Sequence, residues 1–325
     1  MALTRRDFGR IALAALPASQ IAFAAPNSKI KGVQLGAITY SFRQGVPKEE
    51  IIPGMVKIGL SEVELMSGDC EALAGMPSAP AGPAGGRGRG SRGAPLTPEQ
   101  QAAIAARQKE MKDWRAAATP ATFQGVKKKF KDAGVDLRIL CYNMGRNIAD
   151  DEIEYAFKMA QATGVKAISS SSTVTIAKRV APIADKYKIF WAGHGHDNVA
   201  DPEEFAKPET FELIMSLSKH IGVNLDIGHF TAANYDPIPF IQKHHDRITN
   251  LHLKDRKKNP EGGGRGANVP WGQGDTPIKE VLLLMKKEKY SFPANIELEY
   301  QIPEGSDPMT EVAKCYEYVK NCLEA

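Results

Sequence analysis

Four apolar runs in the second half of the chain each end in side chains that can bind a divalent metal. In chain order, these endings are His194-Gly-His196, Asp226-Ile-Gly-His229, His252-Leu-Lys254-Asp255 and Glu297-Leu-Glu299. Successive runs lie roughly 25–45 residues apart, which is typical of strand–helix units. Parallel strands built from such units end at one face of a sheet or barrel, so we expect the four endings to form a single site. Such a site is more typical of an enzyme than of a binding or structural module.

The residue types indicate the kind of metal. Carboxylate and imidazole ligands that leave room for water or substrate suit Mn²⁺, Co²⁺, Zn²⁺, Fe²⁺ or Mg²⁺ better than Ca²⁺. Taken singly, each residue has a simpler explanation: Asp226 could cap a helix, and Glu299 could be a solvated rim residue. The common placement of all four runs argues against coincidence.

Eight strand-like runs supply the elements that would position these residues. They cover residues 33–40, 62–65, 137–142, 167–170, 188–192, 223–226, 248–254 and 294–299. Most are continuous apolar stretches, as expected for parallel strands buried on both faces. Helical patterns lie between them, at 150–163, 209–220 and 277–287 among others. This alternation predicts a (β/α)₈ TIM barrel. A doubly wound open sheet would usually carry a glycine-rich phosphate turn after its first strand, and this sequence has none there.

The first 25 residues are typical of a twin-arginine export signal. Arg5 and Arg6 precede a short apolar stretch, and Ala22-Phe-Ala24-Ala25 is typical of a cleavage site. No run here or later is long and apolar enough for a stable membrane span. We therefore expect a signal peptide at 1–25, a catalytic domain at 29–325 and a periplasmic or extracellular bacterial enzyme. An ordinary amphipathic N-terminal helix is the alternative.

An insertion is predicted after the second strand, at 69–118. Residues 75–94 are rich in Gly, Pro, Ala and Arg, so they cannot bury enough apolar surface to order themselves. A helix should follow from Thr97 to about residue 118, with Pro98 in its first turn. The arginines could bind RNA, but stacking aromatic residues are absent, which favours a surface loop that shields the site.

Composition excludes several classes of protein. The chain of 325 residues is 42% hydrophobic and 25% charged, as in ordinary globular proteins, and its net charge of +4 gives no general case for nucleic-acid binding. The four cysteines form no C-x-x-C motif, so a cysteine-based zinc site is not expected. Cys315 and Cys322 lie two helical turns apart, too far for a disulfide.

Several motifs resemble those of the xylose isomerase-like TIM barrels, the sugar phosphate isomerase/epimerase group that also includes AP-endonuclease-type barrels. They are Asn224-Leu-Asp226-Ile-Gly-His229, Leu251-His-Leu-Lys-Asp255, Trp271-Gly-Gln-Gly-Asp275, Ile296-Glu-Leu-Glu299 and, after the second strand, Val63-Glu64-Leu65. The resemblance covers the chain from residue 33 onward, apart from the insertion. It implies a divalent metal held by residues of the fifth to eighth strands. By position, these ligands are His194, Asp226, His252 and Glu297.

One position departs from the family pattern. The fifth-strand ligand of the family is usually Glu, whereas this chain has His194-Gly-His196-Asp197-Asn198. The pair of glutamates that exchanges a proton across the sugar in the epimerases is therefore incomplete. Histidine can bind a metal and can act as a base near neutral pH. Relatives with histidine here resemble dehydratases or lyases of keto-sugars.

The resemblance and the residue chemistry together assign roles. We expect Glu297, His194 and Lys254 to be catalytic. The expected substrate contacts are Glu64, Tyr142, His196, His229, Trp271 and Glu299. The glycines of loop 268–275 permit close backbone approach, and Trp271 could stack on a sugar face, although a plain turn is the alternative. Basic residues near the mouth, such as Arg256 and Arg265, could bind phosphate, but export argues against a phosphosugar.

The predicted function is a divalent-metal-dependent sugar isomerase or epimerase that acts on a keto- or aldo-sugar through an enediolate. A metal-dependent lyase or hydratase of 3-keto-glycosides or keto-polyols is the alternative. An AP-endonuclease-like nuclease and a non-catalytic sugar-binding barrel are less favoured, because the nuclease would need more metal ligands and a strongly basic face. We expect a small carbohydrate as the partner and no nucleic acid. The sequence leaves open whether the protein forms a homo-oligomer.

Overall fold

The computed structural model describes residues 25–77, 97–261 and 264–325. Residues 1–24 of the predicted export signal lie outside this part of the chain. So does the segment 78–96, which contains most of the Gly/Pro/Arg-rich stretch of the predicted insertion. Among the described residues, no helix combines the length and the apolar character needed to cross a bilayer.

Eight parallel strands close into a barrel, which confirms the predicted fold. A two-residue strand, β1 (Lys29–Ile30), precedes them and pairs antiparallel with β2. The barrel strands are β2 (Val33–Ile38), β3 (Glu62–Met66), β4 (Asp136–Cys141), β5 (Ala167–Ser171), β6 (Phe190–His194), β7 (Ile221–Asp226), β8 (Ile248–Leu253) and β9 (Ala294–Ile296). Each pairs with the next, and β2 pairs with β9 to close the ring. Strands β6 to β9 are therefore the fifth to eighth strands of the barrel.

Helices surround the barrel. They are α1 (Ile51–Ile58), α2 (Ser67–Leu73), α3 (Pro98–Ala117), α4 (Pro120–Asp132), α5 (Asp150–Thr163), α6 (Val174–Tyr187), α7 (Pro208–Met215), α8 (Ile227–Ala232), α9 (Pro237–His244), α10 (Ile278–Glu288) and α11 (Pro308–Glu324), with short 3₁₀ turns at Thr39–Phe42 and Lys48–Glu50. The predicted helix at 209–220 ends earlier, at Met215. Because β7 already begins at Ile221, residues 216–220 must carry the chain from the helix back to the barrel.

Apolar and polar side chains alternate within the strands, although both kinds are buried. All six residues of β7 are buried, for example. Val223 and Leu225 belong to the apolar core, whereas Asn224 and Asp226 face polar partners inside the barrel. Residues two apart share a face of a strand, so Asn224 and Asp226 both point into the barrel. Such inward-facing polar residues line the interior of the barrel along its axis.

The helix of the predicted insertion exists, as α3, and it is anchored near its carboxyl end. Thr97 accepts a hydrogen bond from the Gln100 backbone and Gln100 bonds back, which forms a capping box at its start. No residue of α3 is buried. Near its end, Arg115 forms ion pairs with Glu71 and Glu152 at 2.7 and 3.0 Å. The helix is therefore held to the barrel by these ion pairs and by the partly buried Trp114, which packs edge-on against Phe123.

Candidate active site

The four predicted metal ligands lie together at the carboxyl ends of the strands. His194 ends β6, Asp226 ends β7, His252 is the penultimate residue of β8, and Glu297 directly follows β9. One ligand atom from each of the four lies within 4.8 Å of the others, and all four residues are buried. We call this group the four-ligand cluster. Its assembly agrees with the expectation that the strand endings form one site, while its binding of a metal stays a prediction.

His252 is fixed from both sides of its ring. Its Nδ1 lies 2.9 Å from Glu297 Oε2, and its Nε2 lies 2.6 Å from Glu64 Oε2. Burial alone would lower the pKa of His252, but the two carboxylates outweigh it and raise that pKa well above its ordinary value. Metal-binding histidines usually donate their second ring N–H to a carboxylate. Glu64 is placed to be that acceptor, which leaves Nδ1 directed at the cluster.

Glu64 lies on the barrel axis beneath the cluster and is fully buried. Side chains from four other strands donate hydrogen bonds to its carboxylate, two of them at 2.8 Å (Asn250) and 3.3 Å (Asn224). The full set of these donors is Ser169, Asn224, Asn250 and Asn295. The contact of Glu64 with substrate stays a prediction. The hydrogen bonds from these four donors hold its carboxylate in place, which suits a role in orienting the His252 ring.

The layer of asparagines is a feature that sequence reasoning missed. Each asparagine lies two positions before a cluster residue, in Asn224-Leu-Asp226, Asn250-Leu-His252 and Asn295-Ile-Glu297. Because residues two apart face the same side, this repeated spacing places one amide beneath each of three ligands. The signal was present in the sequence, in the threefold repeat of Asn, an aliphatic residue and a ligand.

Lys254 is buried among three carboxylates. Its Nζ lies 2.9 Å from Asp226 Oδ2, 2.8 Å from Glu297 Oε2 and 2.6 Å from Glu299 Oε2. Burial alone would lower the pKa of Lys254, but these carboxylates outweigh it and hold the pKa above its ordinary value. These three contacts therefore favour a cationic Lys254 next to the cluster.

Asp226 serves two purposes at once. Its Oδ1 accepts a hydrogen bond of 2.7 Å from the backbone N–H of His229 and caps α8. Its Oδ2 faces Lys254 and the cluster. Burial raises the pKa of Asp226 to about 7, against the opposing charge of Lys254. The helix-cap and cluster interpretations of this residue are therefore compatible, since each uses one oxygen.

His194 is the least constrained member of the cluster. Its Nε2 lies 4.0 Å from Asp226 Oδ2, and its ring centroid lies 4.7 Å from that of His252. Its Nδ1 is buried and has no hydrogen-bond partner among the described residues. Burial, together with the nearby His252, lowers the pKa of His194 well below its ordinary value. A neutral imidazole with an uncommitted nitrogen can bind a metal or accept a proton.

A second group, formed by His194, His196 and His229, also has ligand atoms within 4.8 Å of one another. It is less suited to a cation. Arg256 Nη1 donates to His229 Nδ1, and Lys254 Nζ lies 3.1 Å from His229 Nε2. A divalent ion there would face two fixed positive charges without a carboxylate ligand. The four-ligand cluster is the better candidate.

The remaining predicted substrate residues are placed differently from one another. Glu299, with 20% of its side chain exposed, and the half-buried His196 lie beside the cluster. Tyr142 is buried, and its hydroxyl donates to Glu152 at 2.9 Å. The half-buried Trp271 packs edge-on against Tyr318 of α11, with ring centroids 6.0 Å apart. Their contacts with substrate stay predictions.

The glycines of loop 268–275 do permit a close approach, but it is to a carboxylate of the protein. Asp255 Oδ2 accepts hydrogen bonds of 2.8 Å from the backbone N–H groups of Gly272 and Gly274. A Cβ atom on Gly274 would lie 1.8 Å from Asp255 Oδ1. Asp255 therefore shapes this loop from within, which explains the glycines without a substrate.

The donor set of the four-ligand cluster fits a divalent cation. Two imidazoles and two carboxylates at the carboxyl ends of adjacent strands match the ligands that Zn²⁺, Mn²⁺ or Co²⁺ accept. The support behind His252, through Glu64, is the arrangement found behind metal-binding histidines.

Comparison with known proteins agrees with the fold. Residues 176–321 match the family described as xylose isomerase-like TIM barrel. The match spans the second half of the barrel and includes all four cluster residues. Among curated proteins, none matches the sequence significantly.

Solved structures share the fold at low sequence identity. A zinc-bound IOLI protein is 13% identical, with a TM-score of 0.61 over 90% of this chain and 98% of that chain. The E. coli 3-keto-D-glucoside 4-epimerase YcjR is 10% identical, with a TM-score of 0.56 over 89% and 100% of the two chains. The probable 3-DHS dehydratase AsbF from Bacillus anthracis is 12% identical, with a TM-score of 0.57 over 90% and 98%. One fold thus accommodates both epimerisation and dehydration.

Proposed function

We propose that this protein is a divalent-metal-dependent sugar isomerase or epimerase that moves a proton at the carbon beside a carbonyl group. The observation that carries the proposal is the four-ligand cluster, which is buried at the mouth of the barrel beside a fixed lysine. Active sites of TIM barrels lie at this face. The family match over residues 176–321 supports the enzyme class, and the epimerase among the structural neighbours acts on a carbohydrate with such a carbonyl group.

The cluster residues have distinct tasks in this proposal. A metal ion held by His194, Asp226, His252 and Glu297 would supply a Lewis acid for a carbonyl oxygen of the substrate. Glu297 is the proposed base, because Lys254 and His252 both contact its Oε2 and leave Oε1 without a hydrogen bond among the described residues. Lys254 stabilises the negative charge that builds up when the carbon loses its proton. Glu64 keeps the His252 ring in place.

The basic residues near the mouth favour an unphosphorylated substrate. Arg256 is buried and donates to Asp197 and to the backbone oxygen of Gly266. Arg265 pairs with the same aspartate, and Lys257 lies 3.2 Å from Asp275 Oδ1. Each of these cations already contacts a carboxylate of the protein, which disfavours its use by a phosphate group.

Elimination from a keto-sugar is the second candidate, and the residue at position 194 favours it. Proton exchange between the two faces of a carbon needs two proton carriers, whereas elimination needs one base. Glu297 and Glu299 both contact the same Lys254 ammonium, so they lie on one side of the cluster. His194 takes the place where a second carboxylate would complete the pair. A metal-dependent lyase or hydratase of 3-keto-glycosides or keto-polyols would use this arrangement.

Solvent-deuterium exchange tests the proposal and separates its two forms. Purified protein is incubated in deuterated water with a panel of keto- and aldo-sugars, with and without Mn²⁺. We expect deuterium beside the carbonyl only when metal is present. Saturated, labelled sugar indicates epimerisation, and an unsaturated product indicates the lyase. Glu297→Gln should lose the exchange, while Glu304→Gln, the same change at an exposed position, should keep it. Equal exchange in both variants would contradict the assignment of the base.

We also propose that the enzyme acts outside the cytoplasm, on the strength of Arg5, Arg6 and the cleavage pattern at 22–25. Lysine at both arginine positions should retain the protein in the cytoplasm of the producing bacterium. Cell fractionation would contradict the proposal if this double variant and the wild type were exported equally.

A further inference from the structure

A cavity opens on the active-site face of the barrel, beside the four-ligand cluster. Its volume is about 580 Å³, and its walls come from the segments that follow β6, β7 and β8. The size lies in the range of small-ligand pockets. Segments after barrel strands are where TIM-barrel enzymes bind substrate. The cavity is therefore in the right place to extend a substrate site.

Two side chains connect this cavity to the cluster. Glu204 lines the cavity and lies 3.5 Å from His196 Nδ1, and the His196 ring centroid is 5.0 Å from that of His194. Asp197 also lines it, and its Oδ1 lies 3.6 Å from His229 Nδ1. The border between the cavity and the cluster is thus formed in part by His196 and Glu204, whose side chains are 18% and 21% exposed.

Asp197 is a rigid part of the shared wall. Arg256 and Arg265 donate to its carboxylate, and Asn259 Nδ2 lies 3.4 Å from its Oδ2. Burial alone would raise the pKa of Asp197, but the hydrogen bonds with His229 and Arg265 and the charge of Arg256 hold that pKa below its ordinary value. The aspartate is thus occupied by the protein, and a ligand must find other partners.

The partners that stay available are neutral amides. Asn198 and Asn234 are exposed in the cavity wall. Asn198 Oδ1 accepts from the Ala200 backbone and Asn234 Nδ2 donates to the Asn259 backbone oxygen, which leaves Asn198 Nδ2 and Asn234 Oδ1 without a hydrogen bond to any residue that the structure describes. One free donor and one free acceptor are suited to hydroxyl groups, which both donate and accept.

The charges of the cavity argue against an anionic ligand. Its lining carries two carboxylates, Asp197 and Glu204, and one guanidinium, Arg265, which is already paired with Asp197. Small aliphatic surface from Val199, Ala233 and Pro260 completes the wall. A neutral polyhydroxyl group has hydroxyls for the amides and C–H faces for this aliphatic surface.

We infer that this cavity is a subsite for a second, neutral sugar unit, so the substrate is a keto-glycoside with a sugar aglycone. The inference rests on the proposed function for the reacting ring and adds the class of the group attached to it. Free monosaccharides and sugar phosphates would leave the cavity unused.

Matched keto-sugars test the inference. The probes are 3′-keto-maltose and methyl 3-keto-α-glucoside, which carry the same reacting ring and differ in the attached group. We expect wild-type enzyme to have a kcat/KM at least tenfold higher for keto-maltose. Asn198→Ala and Asn234→Ala should each reduce the ratio of the two kcat/KM values about two- to tenfold, the effect of one neutral hydrogen bond. Gln242→Ala, in a cavity at the opposite end of the barrel, should leave the ratio unchanged.

Direct binding separates this inference from the proposed function. Calorimetric titration with unoxidised maltose should show binding to wild type and weaker binding to the Asn198→Ala/Asn234→Ala double variant, whether or not the keto-sugars react. Maltose binding without any turnover would refute the proposed function and keep the subsite. Equal kcat/KM values for the two keto-sugars, or a double variant that binds maltose like wild type, would overturn the subsite.

Discussion

At the scale of single residues, the candidate site depends on groups beneath the ligands as much as on the ligands. The sequence allowed us to predict His194, Asp226, His252 and Glu297 because each follows an apolar strand, and the structure brings them together. It did not reveal that Glu64 lies under His252, because β3 and β8 are remote in sequence and only barrel closure joins them. Contacts between residues that only the closure of the barrel brings together are hard to predict from local sequence patterns.

Replacing the carboxylate beneath His252 should weaken metal binding. In Glu64→Gln, the new NH₂ group would face side chains that donate hydrogen bonds, such as Asn250, and His252 would be held less firmly. Loss of such support typically costs 10- to 100-fold in metal affinity. Competition with a metal-binding dye would measure the change. Glu49→Gln, at an exposed position, is the control, and equal affinities of the two variants would contradict the orienting role of Glu64.

Glu62 should make the free energy of unfolding depend on pH. Its carboxyl is fully buried, and neither oxygen has a hydrogen-bond partner among the described residues. Burial raises the pKa of Glu62 well above its ordinary value; the charge of Arg138 opposes this shift, and the charges of Glu64 and Asp136 add to it. The native state therefore keeps a proton that the unfolded chain loses above about pH 4.3. The free energy of unfolding should fall as pH rises through this window, by up to about 1.4 kcal/mol per pH unit.

Glu62→Gln removes this titration while keeping the shape of the side chain. Between pH 5 and pH 8, the free energy of unfolding of the variant should decline less than that of wild type. Urea unfolding at four pH values in this range would measure both slopes. Parallel curves would show that Glu62 is not protonated in the native state.

At the scale of elements, periodicity predicted the barrel because parallel strands are apolar on both faces and helices repeat every three to four residues. The limits of the elements were less predictable. Strand β1 forms because Lys31 and Gly32 both adopt positive φ in a two-residue hairpin turn, with little apolar pattern to announce it. The early end of α7 follows from the position of the next strand rather than from any stop signal.

The insertion helix α3 should depend on one arginine. Arg115 has 26% of its side chain exposed, but its partner Glu71 has only 2%, so loss of the arginine leaves a buried carboxylate that keeps the Tyr155 hydroxyl as a donor but has no cation beside it. Breaking such a pair costs roughly 3–5 kcal/mol when fully buried, and partial exposure of Arg115 reduces this to about 2 kcal/mol. Arg115→Met should therefore lower the free energy of unfolding by about that amount in urea titrations.

Arg107 provides the control on the same helix. It pairs with Glu110, which has 52% of its side chain exposed, so Arg107→Met should change the free energy of unfolding by less than about 1 kcal/mol. Similar losses in the two variants would show that burial of Glu71 does not determine the anchoring of α3.

At the scale of the whole molecule, the polar candidate site and the apolar core occupy different parts of the barrel. The cluster and the polar cavity lie at the carboxyl ends of the strands, while apolar packing fills the space between strands and helices. The sequence predicted which face would carry the chemistry because every ligand follows its strand. It could not predict the cavity, since that depends on how three loops meet. If the proposed subsite is correct, these loops rather than the ligands determine which substrate is bound.

Metal content, measured together with turnover, tests the central claim most directly. Wild-type protein, the cluster variants Asp226→Ala and His252→Ala, and the surface variant Asp132→Ala would be dialysed against Mn²⁺ or Zn²⁺ and analysed for bound metal, for folding by circular dichroism, and for solvent-deuterium exchange. We predict about one metal ion per chain in wild type and Asp132→Ala, with active exchange. The two cluster variants should stay folded, with little metal and no exchange. Bound metal and wild-type exchange in both cluster variants would contradict the account.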